Sequence, residues 1–256
     1  MKYLLPLALP LLIVSLAYAE VKTESVEYRD GDTVLEGYIA YDDAVEGKRP
    51  AVLIVHDWYG LGEQAKDTAR KLAGMGYVGF ALDMYGKGKL TKDPAEAGKR
   101  SSEFKSTPSL AQPRFTAAYD LVRTRPEVDP AHIAAIGYCF GGTIVLEMAR
   151  AGTDLDGVVS FHGGLKSVLP AEQRAIKAKV LVCHGAIDPH VPDEEVLGFK
   201  QEMSEAKADW QLIAYGNAVH SFTNPDAKGD STRYDEKAAR RSWEAMSDFL
   251  KELFAD

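Results

Sequence analysis

The sequence predicts an α/β fold: a mostly parallel sheet covered by helices on both faces, entered through an antiparallel hairpin. Three observations predict it. Short, continuously apolar runs such as Ala51 to Val55 and Val78 to Leu82 read as central parallel strands buried on both faces. A stretch of helical period, Glu63 to Gly74, lies between those two runs and ends at a glycine. Ahead of both, two alternating runs flank a turn signal, so strand pairing starts antiparallel and continues through crossovers.

Taken in order, Met1-Lys2, the apolar run Tyr3 to Leu16 and Ala17-Tyr18-Ala19 have the charged start, hydrophobic centre and A-x-A site of a secretory signal. Residues 1–19 are therefore expected to be a leader, and 20–256 a single domain that is exported, periplasmic or secreted. No later stretch approaches the ~20 apolar residues of a membrane span, so the mature chain is expected to make no membrane contact. Glu24 to Arg29 and Thr33 to Tyr41 then alternate around Asp30-Gly31-Asp32 as a hairpin. Beyond Leu82, Met84 to Arg114 is rich in Lys, Gly, Ser and Pro; Pro94 to Phe104 reads as a surface helix, and the stretch is either a solvated connection or a lid. Ala111 to Arg123 reads as helix, His132 to Ile136 as strand and Thr143 to Ala149 as helix. Strands follow at Gly157 to Phe161, Val180 to Cys183 and Gln211 to Tyr215, and a long helix runs from Asp235 to Phe254.

Acidic residues outnumber basic ones by 38 to 30, a formal charge of −8, which argues against nucleic acid as partner because phosphate binding needs a basic face. A small molecule is the expected partner and a monomer the expected state. Neither a P-loop nor a G-x-G-x-x-G opening a βαβ unit is present, and no cofactor is expected.

The chemistry centres on Gly137-Tyr138-Cys139-Phe140-Gly141-Gly142, set between an apolar strand and a helix. This is a nucleophile elbow, G-x-C-x-G, with Cys139 at the tip and glycines where a Cβ would collide with neighbouring backbone. A cysteine at a helix start is favoured as thiolate by the dipole and the free N–H groups. It still needs a base. Asp188 and His220 each follow a strand, so both fall on loops at the sheet edge that carries Cys139, in the order nucleophile, acid, histidine of an α/β-hydrolase fold. There His220 would exchange a proton with Cys139 and Asp188 would fix its tautomer. Other readings are a Cys139–Cys183 disulfide, a metal held among His56, His162, His184, His190 and His220, a thiol redox or scavenging protein, and a catalytically silent binding domain. Cys183, within an apolar strand, reads as a small core residue, and no metal-binding pattern organises the histidines. Trp58, Tyr59, Tyr85, Phe140 and Phe222 are expected to ring the opening.

The elbow, with His56-Asp57-Trp58-Tyr59-Gly60, Asp83-Met84-Tyr85-Gly86, Asp188-Pro189-His190-Val191-Pro192 and His220-Ser221-Phe222, resembles the dienelactone hydrolase family over nearly the whole mature chain. The resemblance implies an α/β-hydrolase that cleaves small carboxylic esters or lactones, with Cys139, Asp188 and His220 as triad. It also implies an oxyanion hole from the backbone N–H groups of Phe140 and Trp58. Asp57 stands where the family has a glutamate that restrains the resting thiol. Lys87 and Asn224 stand where it has two arginines that grip a substrate carboxylate, with Tyr85 and Phe222 beside them as substrate-binding residues.

Overall fold

The computed structural model describes residues 21–255; the leader-like segment lies outside the described residues. The hairpin forms as expected. Strands β1 (Val21–Asp30) and β2 (Thr33–Asp42) pair antiparallel from Val21↔Asp42 to Asp30↔Thr33. Gly31, at φ 53°, makes the turn that joins them.

Six parallel strands complete an eight-stranded sheet of order β1-β2-β4-β3-β5-β6-β7-β8. They are β3 (Arg49–Val55), β4 (Val78–Leu82), β5 (Val128–Tyr138), β6 (Gly157–Phe161), β7 (Lys179–Gly185) and β8 (Trp210–Tyr215). The continuously apolar runs are the fully buried ones: every residue of β4 and β6 is buried. Helices α1 (Glu63–Ala73) and α6 (Glu236–Leu253) cover one face through Leu72, Met246 and Leu250. The other face takes α2 (Pro94–Ser106), α3 (Pro108–Arg123), α4 (Phe140–Arg150) and α5 (Asp193–Glu205) through Phe104, Phe115, Ile144 and Phe199. Because α4 lies between sheet and overlying chain, all its residues are buried.

The topology decides where a site can form. From β3 the chain moves outward to β4, then returns across β3 to β5 and proceeds the other way. A crevice opens at the carboxyl ends of the strands where the order reverses. Trp58 follows β3 and Cys139 follows β5, so the two strands flanking the reversal both deliver residues to that crevice.

The stretch from Met84 to Arg114 is neither a plain solvated connection nor an unanchored flap. Asp93 caps α2 by accepting from Ala95 N–H at 2.9 Å, with Pro94 at the first helical position. On its inner side Ala97, Ser101 and Phe104 are buried.

Candidate active site

Cys139 occupies the turn between β5 and α4 in a left-handed conformation, φ 54°. Close approach dictates the glycines beside it. A Cβ on Gly137 would sit 2.2 Å from the Gly141 backbone, and one on Gly141 would sit 2.2 Å from the Val55 carbonyl oxygen. The first turn of α4 is thereby pressed onto the ends of β3 and β5, and Cys139 N–H donates to the Phe161 carbonyl at 2.9 Å.

Loops after β7 and β8 bring the other two residues in. His220 Nε2 lies 3.0 Å from Cys139 Sγ, and His220 Nδ1 lies 2.8 Å from Asp188 Oδ2. Asp188 Oδ1 accepts from His190 N–H at 2.8 Å, so both oxygens of this buried carboxylate are engaged. Burial alone would lower the His220 pKa; hydrogen bonds to Asp188 and Cys139, with the charges on both, outweigh it and push it up to about 10. An imidazole so placed can keep the proton that a neighbouring thiol gives up.

Two residues that line the cleft have backbone donors without an acceptor among the described residues: Phe140, whose N–H starts α4, and Trp58, whose N–H sits in the loop after β3. Side chains hold that loop in shape. Tyr85 Oη donates to the Trp58 carbonyl at 3.2 Å, and Tyr59 N–H donates to Asp57 Oδ1 at 2.9 Å. His56 Nε2 accepts from Met84 N–H at 3.2 Å, which leaves the proton on Nδ1, 2.6 Å from the Asp57 carbonyl. Burial lowers the His56 pKa, in keeping with a neutral ring.

The cleft above Cys139 has a volume of about 690 Å³. Trp58, Tyr59, Phe140 and Asn224 line it as expected from the sequence. Three expected residues do not reach it. Tyr85 is buried between His56 and Phe140, and Phe222 is fully buried against Tyr215 and His162. Lys87 points away: after the Gly86 turn its N–H donates to the Val34 carbonyl, and its ammonium lies 2.8 Å from Glu27 and 3.1 Å from Glu36 on the hairpin. Asp57, one methylene shorter than a glutamate, folds back onto Tyr59 N–H and makes no hydrogen bond to Sγ, which is engaged by His220 instead.

Sequence reasoning missed the cations that do line the cleft, Lys105, Lys166 and Lys228, because lone lysines in a helix and two loops form no motif. The two thiols are free and unpaired. Cys183 is buried in β7, where burial pushes its pKa up to about 12 and Tyr215 Oη donates to its sulfur at 3.7 Å. Among the described residues no group of three or more His, Cys, Asp or Glu is arranged to hold a metal, and no helix is long and apolar enough to cross a membrane.

Comparison with known proteins identifies the family of the chain. A dienelactone hydrolase-like promiscuous phosphotriesterase from metagenomic libraries, P91, superposes with a TM-score of 0.89 at 39% identity, covering 93% of this chain and 100% of its own. The structure named m3DLH gives 0.87 at 38% identity, over 92% of this chain and 99% of its own. A protein of Aquifex aeolicus (strain VF5), provisionally named a carboxymethylenebutenolidase, is 28% identical over 233 residues, 89% of this chain and 97% of its own length. The model of the dienelactone hydrolase family matches residues 35–254, and the chain is a hydrolase belonging to that family.

Proposed function

We propose that this protein is a cysteine hydrolase of carboxylic esters or lactones. The observation that carries the reading is the unbroken line from Asp188 through His220 to Cys139 Sγ, and the backbone N–H groups of Phe140 and Trp58, two residues that line the same cleft, have no acceptor among the described residues. The thiolate of Cys139 attacks the carbonyl carbon, and the resulting oxyanion is held by the N–H groups of Phe140 and Trp58. As the tetrahedral species collapses, the C–O bond to the alcohol breaks and the alkoxide takes the proton from His220 Nε2, leaving a thioester on Cys139. His220 then removes a proton from water, the hydroxide attacks the thioester, and the thiolate departs with the proton back on His220. Asp188 keeps Nδ1 protonated and favours the imidazolium throughout.

The test is turnover of a panel of aryl esters and lactones by reduced enzyme, with mass spectrometry of rapidly quenched protein. Wild type should show an acyl adduct on Cys139, and Cys139→Ala or His220→Ala should lose turnover by about 10³-fold or more. Ester turnover retained by His220→Ala would sink the mechanism; peroxide or disulfide reactivity retained without ester turnover by wild type would favour a thiol redox role.

The likeness to P91 favours a second activity of the same cysteine, phosphotriester hydrolysis through an S–P intermediate that water cleaves. An aryl dialkyl phosphate releasing its phenol with wild type but not Cys139→Ala would support it. The leader-like residues 1–19 support export, which fractionation of cells expressing the full chain tests.

A further inference from the structure

His162 follows β6 and has no part in the reaction proposed above, yet unfavourable features are concentrated in it. Its backbone is left-handed at φ 42°, a conformation uncommon outside glycine although histidine enters it more readily than most residues. The ring is buried, and Nδ1 has no hydrogen-bond partner beyond its own residue. Strain and an unsatisfied buried nitrogen persist in a fold only where the surroundings hold them.

What the ring touches gives the reason. Its Nε2 lies 2.7 Å from Thr223 Oγ1, on the loop that carries His220 three residues earlier. The ring meets His220 edge-on at 5.2 Å and Phe222 at 5.1 Å between centroids. On the other side, Phe161 accepts the Cys139 N–H at 2.9 Å, and His162 N–H donates to the Cys183 carbonyl at 2.9 Å. Residues 161 and 162 therefore bridge the turn bearing the nucleophile and the loop bearing the base. Backbone bonds hold the same loop from its other side, Arg233 N–H to the His220 carbonyl at 3.0 Å and Asp235 N–H to the Phe222 carbonyl at 3.1 Å, and Ser221 between them is left-handed at φ 56°; the Thr223 contact is the side-chain hydrogen bond that ties it to the end of β6.

We propose that His162 is a positioning residue, holding the His220 imidazole on the line between Cys139 and Asp188 by tethering Thr223 and packing against the ring, without touching substrate. This rests on the cysteine-hydrolase reading of the site. Neutrality suits the role. Burial holds the His162 pKa well below its ordinary value, so no second cation opposes the imidazolium that His220 forms 5.2 Å away. The other titratable groups around His220 are Cys139, Asp188, His184 and His190; of these Cys139 also reaches β6, through its backbone N–H to Phe161, but only His162 bonds the stretch that follows His220.

Thr223→Val removes the hydroxyl while keeping the shape, and His162→Phe keeps a ring while removing the tether. Two readouts are used: kcat and KM on an aryl ester, and the pH profile of Cys139 alkylation by iodoacetamide without substrate. Thr223→Val should lower kcat about tenfold with KM unchanged within about twofold, since a small misplacement of a catalytic group acts on the transition state. Alkylation should move to higher pH by about one unit, because a displaced imidazole no longer helps the thiol ionise. Adding His162→Phe to Thr223→Val should cost little more, as expected of two ends of one contact. A Thr223→Val protein with wild-type kcat and wild-type alkylation profile would overturn the proposal, even if its Tm fell. Should wild type hydrolyse no ester, the functional reading fails, while the alkylation profiles still decide whether the tether positions His220.

Discussion

Asp57 is a carboxyl whose ionisation the fold opposes. Burial pushes its pKa up to about 6, and the hydrogen bond from Tyr59 N–H only partly offsets this. In the unfolded chain an aspartate ionises near ~3.9, so between about pH 4 and 6 the folded protein binds more protons than the unfolded one. Stability therefore falls as pH rises through that window, and the loss is complete above it. A shift of about two units corresponds to roughly 3 kcal/mol before relaxation. Asp57→Asn keeps an acceptor for Tyr59 and removes the charge; it should raise stability by about 1 to 3 kcal/mol at about pH 7.5, with the gain vanishing below about pH 4. Thermal melts of both proteins across that range check this, and a destabilised Asn variant at neutral pH would mean that the carboxylate has a favourable partner. The thiols offer a second check at this scale. Cys139 borders the cleft and Cys183 is fully buried, so a thiol reagent should modify one cysteine in the native protein and two after unfolding.

Among the elements, α2 roofs the cleft, supplying Ser101 and Lys105 to its lining. An aromatic cluster fixes it there: Phe104 meets Tyr85 at 5.2 Å and Phe140 at 6.4 Å, while Arg100 lies 5.3 Å over the Tyr85 ring and bonds to the Lys89 carbonyl. Phe104→Ala should cost about 3 kcal/mol in chemical denaturation, the range for an aromatic truncated in a core, and weaken binding of bulky esters more than small ones. Equal loss for both would mean that the roof does not contact the substrate. The same helix shows what a sequence discloses. Its existence was legible from Pro94 to Phe104, because proline at the start and buried positions four and three apart mark an amphipathic helix; its docking was not, since the partners Tyr85 and Phe140 are distant in the chain. The elbow and the loops of Asp188 and His220 were legible because strand ends and tight glycines obey local rules. Strand order was not, nor the direction of Lys87, which depends on a turn laid across the hairpin. The helix α5 was given no bounds, although Pro192 and the three acids of its first turn are what a helix start favours.

At the scale of the whole molecule, charge and cleft differ: the chain is acidic, while three lysines line the cleft against two carboxylates, Glu195 and Asp226. The chain carries −8 overall, which repels an anionic substrate at a distance. Lys105, Lys166 and Lys228, from α2 and two separate loops, nonetheless line the cleft with no acidic partner for their ammonium groups among the described residues, whereas Lys87 is neutralised by Glu27 and Glu36. Range decides which effect wins. At physiological salt the screening length is about 8 Å, so the distributed charge is largely screened outside while a lysine within the cleft still acts on a bound anion. Each solvated pair is worth about 0.5 kcal/mol, so three give roughly a tenfold preference at most. A carboxylated ester should therefore be favoured over its methyl ester by about tenfold or less at low salt, and by almost nothing at about 0.5 M. Replacing Lys105, Lys166 and Lys228 together by Gln should abolish that preference, and Lys87→Ala should leave it intact. A preference that survives the triple replacement, disappears with Lys87→Ala, or stands undiminished in high salt would assign recognition of the negative charge to other groups.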